Sequence, residues 1–161
     1  MMSEKEERAS HIMGFLLGQG GMQGLSVNLL TLALIPAFAE EFLFRGIFQQ
    51  LLIKIFRSSH AGIWITAILF SAVHFQFYGF LPRMILGLLF GYLFLWTGSL
   101  WSAIIPHFLN NAIPVFLTFI SGKNGVMNQV SGEARNIPLI QILLSAMILY
   151  GIWYLNRKKI E

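Results

Sequence analysis

The stretch AEEFLFRG, residues 39–46, places three charged side chains inside a segment that is otherwise apolar. Between residues 29 and 53, the only Asp, Glu, Lys or Arg side chains are Glu40, Glu41 and Arg45. An ionisable side chain at the centre of a membrane-spanning helix costs about 2.5–3.5 kcal/mol on insertion scales, and such side chains usually mark a function.

The spacing of the three charges separates one acid from the other. On a helix, Glu41 and Arg45 are i,i+4 neighbours in the favourable order of acid before base. Glu40 is turned by about 100° from Glu41, and its own i+4 neighbour is Phe44. A carboxylate without a counter-ion in apolar surroundings takes up a proton more readily, as a general base near neutral pH must. The alternative is a structural ion pair with a second acid facing a water-filled crevice.

Composition indicates a polytopic membrane protein. Of 161 residues, 56% are hydrophobic and 11% are charged, and the mean hydropathy is +0.68. These values lie outside the soluble globular range. The net charge of +4 does not indicate a nucleic-acid partner, because the basic residues lie scattered at the ends of apolar segments. Without cysteine the chain has no disulfide, no thiolate metal site and no thiol nucleophile.

We predict an all-α, polytopic transmembrane helical bundle with about six apolar segments. Residues 1–21 are interpreted as a polar arm with an interfacial segment, and residues 22–161 as a single transmembrane domain. Proline marks a boundary between the first two segments, because it opens helices and breaks hydrogen bonds inside them. The predicted segments are residues 22–36, 37–56, 61–77, 84–96, 100–120 (interrupted by Pro106 and Pro114) and 138–155, with a polar loop at 121–136.

Positive charges suggest the topology. If the six segments alternate, two basic clusters fall on one side of the bilayer, and the positive-inside rule makes that side cytoplasmic. Both termini are then cytoplasmic and the polar loop is external. The two clusters are Lys54, Arg57 and His60, and Arg157, Lys158 and Lys159.

Two further polar clusters lie within predicted spans. His74 follows an apolar run, and His107 and Asn111 are i,i+4 neighbours on one helix face, with Asn110 close to that face. Interhelical hydrogen bonding in a membrane is the structural alternative for these side chains. Pro106 frees a backbone carbonyl beside His107, and irregular backbone at membrane depth usually lines a cavity.

Together the clusters contain groups suited to activating water and stabilising an oxyanion. The chain has no GxSxG and no HExxH motif that would indicate other hydrolases. Counted from the segment ends, Glu40 and His74 differ in depth from His107 by about 10 Å at 1.5 Å per residue. We therefore expect tilt, or a break at Pro106, to bring them together.

In this order and on separate apolar segments, the three clusters resemble the motifs of the CPBP family, over about residues 36–114. That family includes type II CAAX prenyl endopeptidases and bacteriocin-processing or immunity (Abi) proteins of bacteria. The chain looks short before the first motif, since family members usually have more helices there. The motifs are EExxxR (Glu40, Glu41, Arg45), FxxxH (Phe70, His74) and HxxxN (His107, Asn111).

The resemblance implies an intramembrane endopeptidase in a bacterial cytoplasmic membrane, acting on a membrane protein or peptide. By matching position, Glu40 would take a proton from the attacking water and His74 would hold that water. His107 and Asn111 would form the oxyanion hole. Glu41 and Arg45 would support the site.

The resemblance leaves the metal open, because the family has been described both with and without one. If zinc is used, its ligands would be Glu40, His74 and His107. We prefer a site without a cofactor, since a zinc hydrolase also needs a separate base and Glu41 is committed to Arg45.

Two other classes of function remain. One is a non-catalytic immunity or scaffold protein, which would tolerate loss of any site residue. The other is a proton-coupled transport component, which would tolerate Asn111→Ala but not loss of the titratable groups.

Overall fold

The computed structural model describes residues 21–75, 77 and 79–130. Within them the chain forms four helices and no strand, which confirms the all-α prediction. The N-terminal arm and the last predicted span lie outside the described residues. The helices are α1, Gly21–Phe56; α2, Ser59–Ala72; α3, Phe80–Thr97; and α4, Trp101–Val130.

The outer surface of the bundle is apolar. Among the described residues, three stretches are long and apolar enough to cross a membrane, namely α1, α3 and the first part of α4 up to Ile120, whereas α2 is shorter. Phe42 is 62% exposed and Ile105 53%, while Glu41 and Arg45 are fully buried. In a membrane helical bundle, apolar side chains face outward and charged side chains face inward, as they do here.

The predicted boundary at Pro36 is wrong. Helix α1 continues through it, with π-helical turns at Leu29–Leu34 and an α-helical stretch at Ile35–Glu41 that has Pro36 in its first turn. Local π adjustments let a membrane helix absorb the hydrogen bond that proline cannot make. The first two predicted segments are therefore one helix, which removes one of the six predicted crossings.

A second π-helical stretch, Phe42–Gln49, sets the buried face of α1. Because a π-helical turn holds more residues than an α-helical turn, side chains spaced by four stay on one side of the helix. In an α-helix the same spacing would move them gradually around the helix axis. Glu41, Arg45 and Gln49 are all at most 1% exposed. Arg45 Nη2 donates to the carbonyl of Gly87 and Gln49 Nε2 to that of Gly91, each at 3.0 Å.

Glycines bring α3 close to its neighbours, as the spacing of Gly87 and Gly91 predicts. A Cβ on Gly87 would lie 3.1 Å from the Cα of Ala67, and one on Gly91 would lie 2.9 Å from Gln49 Oε1. Larger residues would hold α3 off α2 and α1. The two glycine carbonyls would then be out of reach of the polar side chains of α1.

Other predicted boundaries also need correction. Helix α2 ends at Ala72, so His74 lies in the turn that follows and not inside a span. Helix α3 begins at Phe80, with Pro82 in its first turn. Backbone N–H groups there have no partner within the helix, so proline costs no hydrogen bond at this position. Helix α4 runs through both of its prolines and on to Val130, within the predicted polar loop.

No break at Pro106 is needed to align the site. Leu100, just before α4, lies beside Gly46 in the middle of α1, since a Cβ on Gly46 would be 3.8 Å from Leu100 Cδ1. Helix α4 therefore does not start beside the Phe56 end of α1. The first turns of α4 are thus already part-way along α1, and the Trp101 ring packs edge-on against Phe38 at 5.4 Å. Two further turns bring His107 beside Glu41.

Candidate active site

A cavity of about 90 Å³ opens between α1, α3, α4 and the end of α2. It contains all four side chains that the sequence suggests as catalytic. Their roles remain a prediction, but the bundle brings these groups to one place. The cavity is lined by Glu40, Phe70, His74, Arg83, Leu86, Phe90, His107, Asn110 and Asn111.

Glu41 has two partners at one oxygen. Arg45 Nη1 donates to Glu41 Oε1 at 2.8 Å, as the i,i+4 spacing predicts. His107 Nδ1 lies 2.6 Å from the same oxygen, in a contact that the sequence analysis missed. Both sides of that contact are buried, Glu41 at 0% and the His107 side chain at 6% exposure. Glu41 therefore supports Arg45 and also orients a ring of the cavity.

The bond to Glu41 fixes what His107 offers the cavity. A carboxylate oxygen only accepts hydrogen bonds, so Nδ1 of His107 carries the proton. In the neutral ring, Nε2 is then an acceptor, and it lies 3.8 Å from Oε2 of Glu40. Nε2 can donate to an oxyanion only when the ring is an imidazolium, and the negative charge of Glu41 would compensate such a ring.

His74 is held in the same way from another direction. Its Nδ1 lies 2.8 Å from the carbonyl oxygen of Phe70, which can only accept, so Nδ1–H is the donor. This bond satisfies a carbonyl at the end of α2 that has no helical partner. Nε2 of His74 is left as an acceptor, 3.9 Å from Oε2 of Glu40.

Glu40 stands between the two imidazoles. Its Oε2 is too far from either Nε2 for a direct hydrogen bond, yet close enough for one water to contact all three groups. The side chain is 28% exposed, whereas its neighbour Glu41 is fully buried. The helical-wheel prediction that Arg45 pairs with Glu41 is confirmed by the ion pair between Arg45 Nη1 and Glu41 Oε1 at 2.8 Å.

Asn111 completes the set with a donor. Its Oδ1 accepts from Nδ2 of Asn110 at 3.3 Å, which leaves Nδ2 of Asn111 as the group that can donate into the cavity. This is the chemistry required of an oxyanion-hole amide. Both asparagines are part-buried and lie on α4 one turn from His107.

Aromatic rings hold the imidazoles from behind. Phe90 stacks on His107 with ring centroids 5.2 Å apart, and Phe70 meets His74 edge-on at 5.3 Å. The guanidinium of Arg45 lies 4.8 Å from the Phe70 ring centre, within cation–π range. The polar groups thus occupy positions fixed by packing, which active sites require.

The side chains of the cavity are of the types that bind zinc, but the separations between their atoms are longer than those between zinc ligands. Both imidazoles use Nδ1 as a hydrogen-bond donor and present Nε2, as metal-bound histidines do. Two tetrahedral ligands about 2.0–2.1 Å from zinc would be roughly 3.3 Å apart, and the observed separations from Glu40 are longer. Across the described part of the chain, no group of three or more His, Cys, Asp or Glu is close enough to hold an ion as it stands.

Arg83 is a cavity residue that falls between the predicted segments 61–77 and 84–96. It lies in the first turn of α3, and its Nε donates to the carbonyl of Gly79 at 3.2 Å. A signal was present, because Arg83 is the only Asp, Glu, Lys or Arg between Arg57 and Lys123.

The chain is similar to known proteins over the region that forms the cavity. The chain is 32% identical over 90 residues to the uncharacterized protein YpbD of Bacillus subtilis (strain 168), a match covering 53% of this chain and 43% of that relative. The match thus spans less than half of the relative's length. No solved structure matches. The model of the family described as Type II CAAX prenyl endopeptidase Rce1-like matches residues 22–113, a region that contains every side chain of the cavity, and the chain belongs to that family.

Proposed function

We propose that this protein is an intramembrane endopeptidase in which Glu40 activates the attacking water. The observation that carries the proposal is the position of Glu40 Oε2, 3.8–3.9 Å from the Nε2 atoms of His74 and His107. A water at this point can donate one proton to Glu40 and the other to Nε2 of His74 while its oxygen stays available for attack. The supporting comparison is the family, which is one of membrane proteases.

The chemical step uses these groups in order. The water oxygen attacks the carbonyl carbon of the scissile peptide bond, and its proton passes to the carboxylate of Glu40. His74 orients the water through Nε2, because its Nδ1–H is held by the carbonyl of Phe70. When the C–N bond breaks, the protonated Glu40 returns the proton to the leaving amine, which restores the carboxylate.

Side chains of α4 stabilise the negative charge that develops on the carbonyl oxygen. Asn111 donates through Nδ2, and His107 donates through Nε2 as an imidazolium that takes its second proton from solvent before the attack and whose Nδ1–H is bound to Glu41. One oxyanion donor typically contributes about 10²–10³ in kcat. Arg45 compensates part of the charge of Glu41, so that this carboxylate can be retained in the buried site.

A second form of the same function uses zinc held by His74, His107 and Glu40. The observation in its favour is that both rings present Nε2 while Nδ1 is held by a carbonyl or a carboxylate. Bound zinc would supply Lewis-acid activation of water. The separations from Glu40 would have to shorten by about 0.5 Å to reach ligand spacing, and we therefore prefer the form without metal.

The substrate class and location follow as proposals. We place the protein in a bacterial cytoplasmic membrane, with a membrane protein or membrane-associated peptide as substrate and the lipid bilayer as its surroundings. Lys54 and Arg57, at the turn between α1 and α2, would face the cytoplasm. The cytoplasmic location of both termini stays a prediction, and the continuous α1 removes one crossing from the count on which it was based.

The test is peptide cleavage by the purified full chain in detergent. Glu40→Gln should abolish cleavage, because the amide is nearly the same size but cannot take the proton. Glu161→Gln, the same chemical change at the last residue, is the matched control and should cleave like the parent. Full activity in a folded Glu40→Gln protein would refute the proposal.

The same assay separates the alternatives. Asn111→Ala should impair an endopeptidase, which needs the oxyanion donor. A proton-coupled transporter would cleave no peptide, and its transport would survive Asn111→Ala, since asparagine does not titrate. A scaffold would show no cleavage of any peptide and no loss of its role in any of these variants.

A further inference from the structure

A second concave region lies away from the cavity that holds Glu40, on the outer side of α4. It is a groove of about 290 Å³ in the seam between α4 and the first half of α1, and it shares no residue with the cavity. Phe116 of the groove is nine residues after His107 and is therefore turned from it by about 180°. Every residue that lines the groove is apolar, namely Leu29, Phe108, Ala112, Ile113, Phe116 and Leu117.

The described helices leave this groove open. Ile113, Phe116 and Leu117 are between 39% and 49% exposed, whereas Val115 on the same stretch of α4 is buried. Single apolar side chains can simply face lipid, but a concave seam lacks packing contacts unless something fills it. Helices in a bilayer associate through such contacts, and small residues at the interface allow the closest approach. Ala112, in the groove, offers another helix that approach.

We propose that the apolar segment of residues 138–155 packs in this groove, antiparallel to α4. The segment lies outside the described residues. It contains no Asp, Glu, Lys or Arg, so its chemistry matches a groove lined only by apolar side chains. As a helix it would be about 27 Å long, enough to follow most of the apolar part of α4. The segment would then hold α4 against α1 from the side opposite His107, whatever reaction the cavity performs.

The connection from α4 to the segment is short enough for this arrangement. Helix α4 ends at Val130, and residues 131–137 join it to the segment. Helices joined by about two to eight residues are usually antiparallel neighbours. The apolar part of α4 ends at Ile120, about 15 Å before Val130. Seven residues reach up to about 25 Å, so the chain can return to the level of Ile120 before the segment begins.

This register brings small residues together and keeps charges out of the groove. With Pro138 level with Ile120, an antiparallel segment has Ala146 level with Ala112, where two small side chains let the helices approach closely. The basic residues 157–159 then lie level with the turn before α4, beyond the groove. If α2 and α3 alternate in direction, that turn is on the same side as the basic turn between α1 and α2, as the positive-inside rule requires.

Disulfide formation tests the proposal, because the chain has no cysteine and introduced pairs are the only thiols. The full chain, in bacterial membranes, carries Ile113→Cys together with one further cysteine, which is moved through positions 139 to 155 in turn. Each protein is oxidised with copper phenanthroline. Disulfides form only where the two Cα atoms come within about 7 Å of each other. We expect disulfides within one chain at positions three or four residues apart, with the highest yields between 141 and 150.

The matched control is Ile68→Cys, the same change at an isoleucine of α2 that is 42% exposed, against 39% for Ile113. Paired with the same positions it should give only background yields, because a segment in the groove is beyond disulfide reach of that face of α2. Equal yields from the two partners, or no disulfide with Ile113→Cys at any position, would overturn the proposal and leave the groove to lipid. Tagged and untagged chains are coexpressed, and disulfides that join two chains in place of those within one would refute it in favour of a second copy.

A spin label gives a readout that does not depend on disulfide geometry. The label is attached to Ile113→Cys or to Ile68→Cys in the full chain, and its access to oxygen dissolved in the bilayer is measured. A helix in the groove shields the label at residue 113, so oxygen access there should be lower than at residue 68. Equal access at the two residues would contradict the proposal even if a few disulfides formed.

Discussion

Replacing Arg45 by methionine should destabilise the protein strongly, even though methionine fills much of the same volume. Arg45 is fully buried and donates to Glu41 Oε1 at 2.8 Å and to the carbonyl of Gly87 at 3.0 Å. Without it the buried carboxylate of Glu41 keeps only His107 as a partner. Removing one member of a buried ion pair typically costs about 3–5 kcal/mol, because the other charge is left uncompensated.

The double variant sharpens the argument. Glu41→Gln alone leaves Arg45 without its counter-ion, so each single variant strands one charge. The double variant with Glu41→Gln and Arg45→Met leaves no buried charge unpaired. We expect it to be less destabilised than the sum of the two single variants by about 1–3 kcal/mol. If the two residues did not interact, the effects would simply add.

The measurement is reversible unfolding of the full chain in mixed micelles, followed by circular dichroism. A loss of about 3–5 kcal/mol corresponds to a factor of roughly 10²–10⁴ in the folded-to-unfolded ratio, well above the error of such titrations. Arg57→Met is the matched control: the arginine is exposed, and its replacement should change stability by about 0.5 kcal/mol or less. An Arg45→Met protein as stable as the parent, or additive single effects, would show that the buried pair does not support the fold.

Two further predictions concern the chemistry. Asn111→Ala should lower kcat by about 10²–10³ with unchanged folded yield, as measured by cleavage kinetics and gel filtration, and a smaller effect on kcat than about threefold would remove it from the oxyanion hole. Elemental analysis of the purified protein should show no stoichiometric metal, and chelators should leave cleavage intact. About one zinc per chain, lost together with activity in Glu40→Gln and His74→Ala, would refute the metal-free form.

Local spacing was enough to predict part of the site. The i,i+4 relation of Glu41 and Arg45 holds in the structure, because it depends only on the helical turn that joins them. The outward turn of Glu40 follows from the same geometry. The contact between Glu41 and His107 joins residues 66 positions apart and depends on how α4 packs against α1, which helical periodicity does not contain.

The predicted helix boundaries failed where proline was taken as a stop. Pro36 lies in a continuous helix because the π-helical turns before it take up the missing hydrogen bond. Pro82 marks the first turn of α3 and not a turn outside it. The expected depth offset of His107 failed for a different reason, since α4 begins beside Gly46 and not at the end of α1. To avoid these errors one would need to know how the helices pack, and a single sequence does not contain that information.

The two adjacent glutamates illustrate how packing assigns chemistry. Glu41 is fully buried, with its Oε1 bonded to a guanidinium and an imidazole, so its charge is used in holding other groups. Glu40 is part-exposed in the cavity, and Oε2 faces two imidazole nitrogens that cannot donate to it while the rings are neutral. Paired titratable groups in different environments are how one site keeps a carboxylate fixed and leaves the other reactive. Because the two residues are successive on one helix, any movement of α1 shifts both, and the base stays in register with the ring that Glu41 orients.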